Sequence, residues 1–267
     1  MTRKARKTRT SGKKAKKRTS RSKRRPSWLL TYHEESKQMG RSLALVLPLL
    51  VAYEIAIAVL APGIRNSAEL AVAEFVRKLP EHAVQALRYS ALATLVVGCV
   101  WWFRRSRPRA EVARPQFMLL EALCLAVLLG PSLEFLVGRI GLSASNVEQL
   151  PPNPAWLPYL MSVGAGLWEE IVFRLGLLGG LYVVLCRFMR THERAALGIS
   201  VLISALLFAL YHHVGTAGEP FEAGRFAFRT LAGTILGVLF AWRGLAVVVY
   251  MHVFYDLLCD VRVAILS

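Results

Sequence analysis

Apolar runs about as long as a bilayer is thick recur along this chain, and they leave it few soluble folds. Ser42–Ala61, Val84–Phe103, Phe117–Val137, Leu197–Val214, Phe226–Trp242 and Leu245–Leu266 each come close to the about twenty residues that cross a hydrocarbon core of roughly 30 Å. Trp156–Phe188 makes a seventh, longer block. A soluble chain of 267 residues would bury one core and keep a polar face on every helix, whereas these segments are apolar nearly all round. The pattern predicts an all-α, polytopic membrane bundle of seven transmembrane helices, or eight if Trp156–Phe188 crosses twice.

Charge divides the chain into two parts. The net charge is +17, and fourteen of the 34 Lys and Arg residues fall within the first 25 positions. Residues 1–27 therefore read as a disordered basic tail, and 28–267 as the membrane domain. Such a tail suits an anionic lipid surface. It has no aromatic ring to stack on a base until Trp28, so no specific nucleic-acid partner is expected. The apolar run that follows is too long for a cleaved signal peptide, and the segment reads as a retained anchor. Basic loops at Arg104–Arg114, Arg187–Arg194 and Arg243 alternate with non-basic ones, which predicts a cytoplasmic N-terminus. A double crossing of Trp156–Phe188 would break that alternation. Cys99, Cys124, Cys186 and Cys259 form no CxxC pair and read as buried small hydrophobes. Gly176, Gly179 and Gly180, with Gly233 and Gly237, read as sites of close helix contact.

An ionisable group at the bilayer centre costs at least about 2.5–3.5 kcal/mol, so those inside apolar spans need a reason to be there. Three groups stand out. "LWEEIVFRLGLLGG" holds Glu169, Glu170 and Arg174; "LLFALYHH" holds Phe208, His212 and His213; "YMHVFYD" holds His252 and Asp256. Glu170 and Arg174 stand at i and i+4 with the acid first, the favourable order for a helical ion pair, so a structural reading suffices for them. Glu169 lies about 100° further round a helix and needs a partner from another element. His252 and Asp256 share a face, so the carboxylate could orient the imidazole. His213 reads as a loop-edge residue, and Glu54, Glu121, Glu134 and Arg229 as structural or water-facing.

The ordered motifs EExxxR (Glu169, Glu170, Arg174), FxxxH (Phe208, His212) and HxxxN/D (His252, Asp256) on successive spans resemble those of the CAAX-protease and bacteriocin-processing (CPBP, or Abi) intramembrane endopeptidases. The resemblance covers Trp156–Leu266. It implies that Glu169 and His212 activate a water, that Glu170 and Arg174 form an ion pair at the site, and that His252 and Asp256 hold the oxyanion. Asn is frequent where this chain has Asp256, and an ionised Asp cannot donate a hydrogen bond. The implied chemistry is metal-free. A zinc version would use Glu169, His212 and His252 as ligands, although no HExxH motif is present. A membrane transporter or immunity-type protein is the reading outside enzymology, and it predicts an inverted repeat that the sequence lacks. The expected partners are membrane lipids and a membrane-associated or lipid-modified peptide. A bacterial inner membrane is the expected location. Counting residues from the basic loops places Glu169, His212 and His252 in the membrane half away from the tail, with Trp156–Trp168 as a re-entrant or interfacial piece.

Overall fold

Every apolar run becomes a helix. The computed structural model describes residues 28–66, 68–70, 80–106, 115–141, 155–214 and 218–266. The basic tail, most of the Arg104–Arg114 cluster, the Pro-rich loop before Ala155, and the polar connection over 71–79 lie outside these residues. Along the chain, α1 (Trp28–Ser36) leads into α2 (Met39–Leu60), α3 (Glu81–Ser106) and α4 (Pro115–Arg139). Next comes one rod in three parts: α5 (Leu157–Glu169), a π-helical segment (Glu170–Leu178) and α6 (Gly179–Arg187). Then follow α7 (Glu193–Tyr211), α8 (Ala223–Arg243) and α9 (Leu245–Leu266). No strand occurs among the described residues.

Four helices, α2, α4, α7 and α8, are long and apolar enough to cross a membrane by length and composition. The expected seven spans are not all of this kind. The rod carries Glu169, Glu170 and Arg174, and α9 carries Asp256, Asp260 and Arg262, so the helices that bring the ionisable groups are the less uniformly apolar ones. The chain is an integral membrane protein.

At the centre lies α9. Leu245, Ala246, Val247, Val248 and Val249 are buried in succession, so this helix is enclosed on all sides where it begins. It packs against α2, α4, α5 and α8, and α7 packs along α8. Gly244 makes the turn between α8 and α9 at φ 85°, a conformation that costs glycine nothing. The turn leaves Arg243 pointing inward. Its guanidinium pairs with Glu121 of α4 at 2.5 and 2.6 Å and donates to Ser36 Oγ and His33 Nδ1 at 2.8 Å. Tyr32 donates to the same carboxylate at 2.7 Å. This polar clip fastens α1 across the ends of α4 and α8. In α1, burial and the nearby cations Lys37 and Arg243 hold His33 below its usual pKa, as fits a neutral ring that accepts a hydrogen bond from arginine.

The rod differs from its expected form. It runs without a break from Leu157 to Arg187, so no re-entrant turn separates Trp156–Trp168 from the rest. A widened turn takes the place of a break. Gly179 N–H donates to Arg174 O, five residues back, as in a π-helix. Ser204 of α7 donates to the Phe173 carbonyl at 2.7 Å and ties the widened turn to the next helix.

Two smaller expectations are also corrected. Cys124 and Cys259 are exposed and Cys186 is half-buried, because the outside of a membrane helix is itself an apolar environment. The glycines that allow close helix approach are Gly233 and Gly237, and also Gly164 and Gly166, which the spacing did not single out. Gly176 and Gly179 face only atoms of their own segment, and Gly180 faces open space.

Candidate active site

The three polar groups meet. Glu169 and Glu170 come from the junction of α5 and the π segment, His212 from the C-cap of α7, and His252 and Asp256 from α9. Gly166 makes the meeting possible. A Cβ there would fall 2.7 Å from the backbone nitrogen of Val253, so only glycine lets α5 lie directly on α9 next to His252.

Glu170 is fully buried and serves two partners. Its Oε2 lies 3.2 Å from Arg174 Nε, the ion pair expected from the i,i+4 spacing. Its Oε1 accepts from His252 Nδ1 at 2.7 Å. The carboxylate that orients His252 is therefore Glu170. Asp256 lies at 3.6 Å from the other ring nitrogen, beyond a normal hydrogen bond. The structure thus gives Glu170 a contact that the ion-pair reading left out.

Glu169 faces both histidines. His252 Nε2 is 3.7 Å from its Oε2, and His212 Nε2 is 3.8 Å from its Oε1. These separations are too long for direct hydrogen bonds and suit a bridging water. A carbonyl can only accept, so the 2.8 Å contact between His212 Nδ1 and Phe208 O places the proton on Nδ1. His212 Nε2 is then an acceptor aimed at Glu169. The adjacent carboxylates bracket His252 from its two nitrogens, an arrangement helped by the change of helix type between them.

Phe208 is the aromatic centre of the site. Its ring stands edge-on to Phe173 at 5.4 Å and to His212 at 5.0 Å, and Arg174 Cζ lies 4.4 Å from its centroid. The cation–π contact matters because Arg174 is 0% exposed and its side-chain nitrogens make no hydrogen bond among the described residues. Tyr211 is the residue that motif reasoning missed. Its hydroxyl donates to Glu169 Oε1. Tyr211 lies inside the quoted "LLFALYHH", but no spacing rule marks a tyrosine beside a histidine.

Outside the spans, the segment after His212 folds back over it. Glu219 N–H donates to His212 O at 2.8 Å, and His213 Nδ1 donates to Glu219 O at 3.2 Å. The Glu219 carboxylate takes a bidentate bond from Arg229 at 2.9 and 3.0 Å and another from Arg225. Hydrogen bonding from Arg229 holds Glu219 below the usual carboxylate range. Arg229 is thus structural, as the sequence suggested. Among the described residues, no group of three His, Cys, Asp or Glu is arranged to hold a metal ion. In the donor set read for zinc, Nδ1 of His252 bonds to Glu170, Nδ1 of His212 bonds to Phe208 O and Glu169 Oε1 accepts from Tyr211, so both Nε2 atoms and Glu169 Oε2 are the donor atoms turned toward one another.

Carboxylate, imidazole and a buried cation thus come together inside a bundle of membrane helices, groups of the kind that activate water. Residues 151–258 match the family model described as type II CAAX prenyl endopeptidase Rce1-like. This stretch holds all three motifs and starts after α4. The match covers less than half of the chain; it is consistent with a CPBP-family intramembrane protease and indicates a peptidase. No curated protein and no solved structure gives a match to the chain.

Proposed function

We propose that the protein is a glutamic-type intramembrane endopeptidase acting on a membrane-associated or lipid-modified peptide. One observation carries this reading: a buried carboxylate, Glu169, faces two imidazole nitrogens at water-bridging distance. A water between Glu169 and His212 gives a proton to the carboxylate as its oxygen attacks the scissile carbonyl carbon. The carbonyl oxygen becomes an oxyanion. His252 has its Nδ1–H committed to Glu170, and in its imidazolium form it offers Nε2–H to that oxyanion. As the C–N bond breaks, the proton held by Glu169 passes through His212 Nε2 to the leaving amine. Water is consumed, and a carboxylic acid and an amine are released. Asp256 is half-exposed at the edge of the site and supports His252 electrostatically.

The catalytic groups lie in the membrane half away from α1, and the N-terminus is cytoplasmic. Support comes from α8, which runs about 30 Å from the segment over His212 to the Arg243 clip on α1. Thr216, in the loop after His213, lies outside the described residues, so Phe221, which is exposed, is the better reporter. Phe221→Cys in a background free of native cysteines reacts with an impermeant maleimide on intact cells; reaction only after permeabilisation reverses the orientation.

The activity test uses purified protein in lipid vesicles and peptides ending in a Cys-a-a-X sequence, with and without a prenyl group. Glu169→Gln and His212→Ala abolish cleavage while the protein still accumulates in the membrane. Turnover near wild type in either variant refutes the assignment. A chelator leaves activity unchanged; loss on chelation with rescue by zinc, together with one bound metal per chain, would replace this mechanism with the metal-dependent one.

A further inference from the structure

We infer that Tyr211 is a positioning residue for the peptidase reaction: its hydroxyl fixes Glu169 so that one carboxylate oxygen is held and the other is presented toward His252. This rests on the role of Glu169 proposed above. Among the described residues, Tyr211 is the donor at hydrogen-bond distance from Glu169, while both histidines stand back at 3.7 and 3.8 Å. A glutamate side chain in an apolar bundle has three rotatable bonds, and two partners beyond bonding distance do not hold it in one rotamer. The hydroxyl does. With Oε1 engaged, Oε2 is left facing His252 Nε2.

The tyrosine is itself held from two sides. Its ring packs against Phe173 of the π segment at 4.9 Å and against His212 at 4.1 Å. Both contacts belong to the ring, so phenylalanine would keep the packing and remove only the hydroxyl. That separates positioning from structure. The sequence places Tyr211 immediately before His212 at the end of α7, so one helix end delivers both the imidazole and the group that sets the carboxylate.

The test uses the full chain in lipid vesicles and two measurements on Tyr211→Phe. In the first, a hydrophobic carbodiimide is added and adduct formation at Glu169 and at Glu170 is followed by peptide mass spectrometry. Freeing Oε1 speeds the reaction at Glu169 by about tenfold or more, the scale of one hydrogen bond to a charged group, and leaves Glu170 unchanged. In the second, kcat for the prenylated reporter peptide falls about ten- to hundredfold while KM stays at its wild-type value and Tm falls by no more than the few degrees that losing one hydrogen bond brings. Labelling is read on the folded fraction isolated by gel filtration, so reduced yield does not obscure it. An unchanged labelling rate at Glu169, or wild-type kcat, overturns the inference. Activity surviving in Glu169→Gln defeats the proposed mechanism instead, and labelling then still reports whether Tyr211 holds the carboxylate.

Discussion

Replacing Glu170 by glutamine changes one oxygen to nitrogen and leaves Arg174 as a buried cation without a counter-ion. Arg174 and Glu170 are 1% and 0% exposed at their side chains and stand 3.2 Å apart. Among the described residues the guanidinium has no hydrogen-bond partner to fall back on, and the Phe208 face lies at 4.4 Å. Removing one member of a buried pair costs about 3–5 kcal/mol, and the cation–π contact, present before and after the change, offsets none of it. For a domain of this size, each kcal/mol lowers Tm by about 2–4 °C, so Glu170→Gln is expected to melt about 10 °C below wild type. The assay is thermal unfolding in a fixed detergent and lipid mixture, arranged as a double-mutant cycle with Arg174→Met. The double variant removes the stranded charge and is expected to recover about half of the loss or more, giving a coupling energy of about 2 kcal/mol. A Tm drop below about 2 °C for Glu170→Gln, or strictly additive losses in the cycle, would refute the view that the pair carries its own burial.

Other expectations follow from the same contacts. Gly166→Ala places a Cβ 2.7 Å from the Val253 nitrogen and must push α9 away; it is expected to cost about 1–3 kcal/mol in stability and to reduce kcat by displacing His252, as peptide turnover beside Tm will show. Asp256→Asn is expected to keep kcat within about tenfold of wild type, because the 3.6 Å separation from His252 shows no bond to lose; a loss like that of Glu169→Gln would contradict this. The native pKa of Glu219 is depressed, so the tie to Arg229 is complete above the ordinary carboxylate value of 4.5 and is lost as pH falls through the lower native value. Amide exchange at Glu219 and Phe221 should accelerate over that window, and Arg229→Gln should make it fast at every pH. Phe208→Ala is expected to lose about 3–5 kcal/mol in the same thermal assay, since the ring is buried and contacts Phe173, His212 and Arg174.

The helices were legible because their lengths follow from bilayer thickness; the six shorter runs match α2, α3, α4, α7, α8 and α9 closely. The Glu170–Arg174 pair was legible because a spacing of four puts both on one face. That Glu169 draws its partners from other helices was also legible, since no residue three or four away could serve. Two things were not. The π-helix has no reliable signature in "EEIVFRLGLLGG", and its capture by Ser204 comes from a residue 31 positions away. Nor could the sequence divide the carboxylates around His252. Asp256 shares its helix face and looked like the natural partner, yet packing through Gly166 brings Glu170 closer. Neighbours in sequence advertise themselves, whereas neighbours across a helix crossing depend on how near two backbones can come.

The widened turn over Glu170–Leu178 also fixes how the rod tolerates changes in length. A π turn holds roughly one residue more than the α turn it replaces. Deleting one residue within it would let the segment relax toward an ordinary α-helix with α5 and α6 near their present phase, whereas a one-residue change in either α-helical part would turn one against the other by about 100°. Glu169 and Glu170 belong to one side of that joint, while Leu178 and the helix that follows belong to the other. The site is therefore set like a vernier, in which the widened turn takes up a one-residue change in length that either α-helical part would turn into misalignment of the two scales.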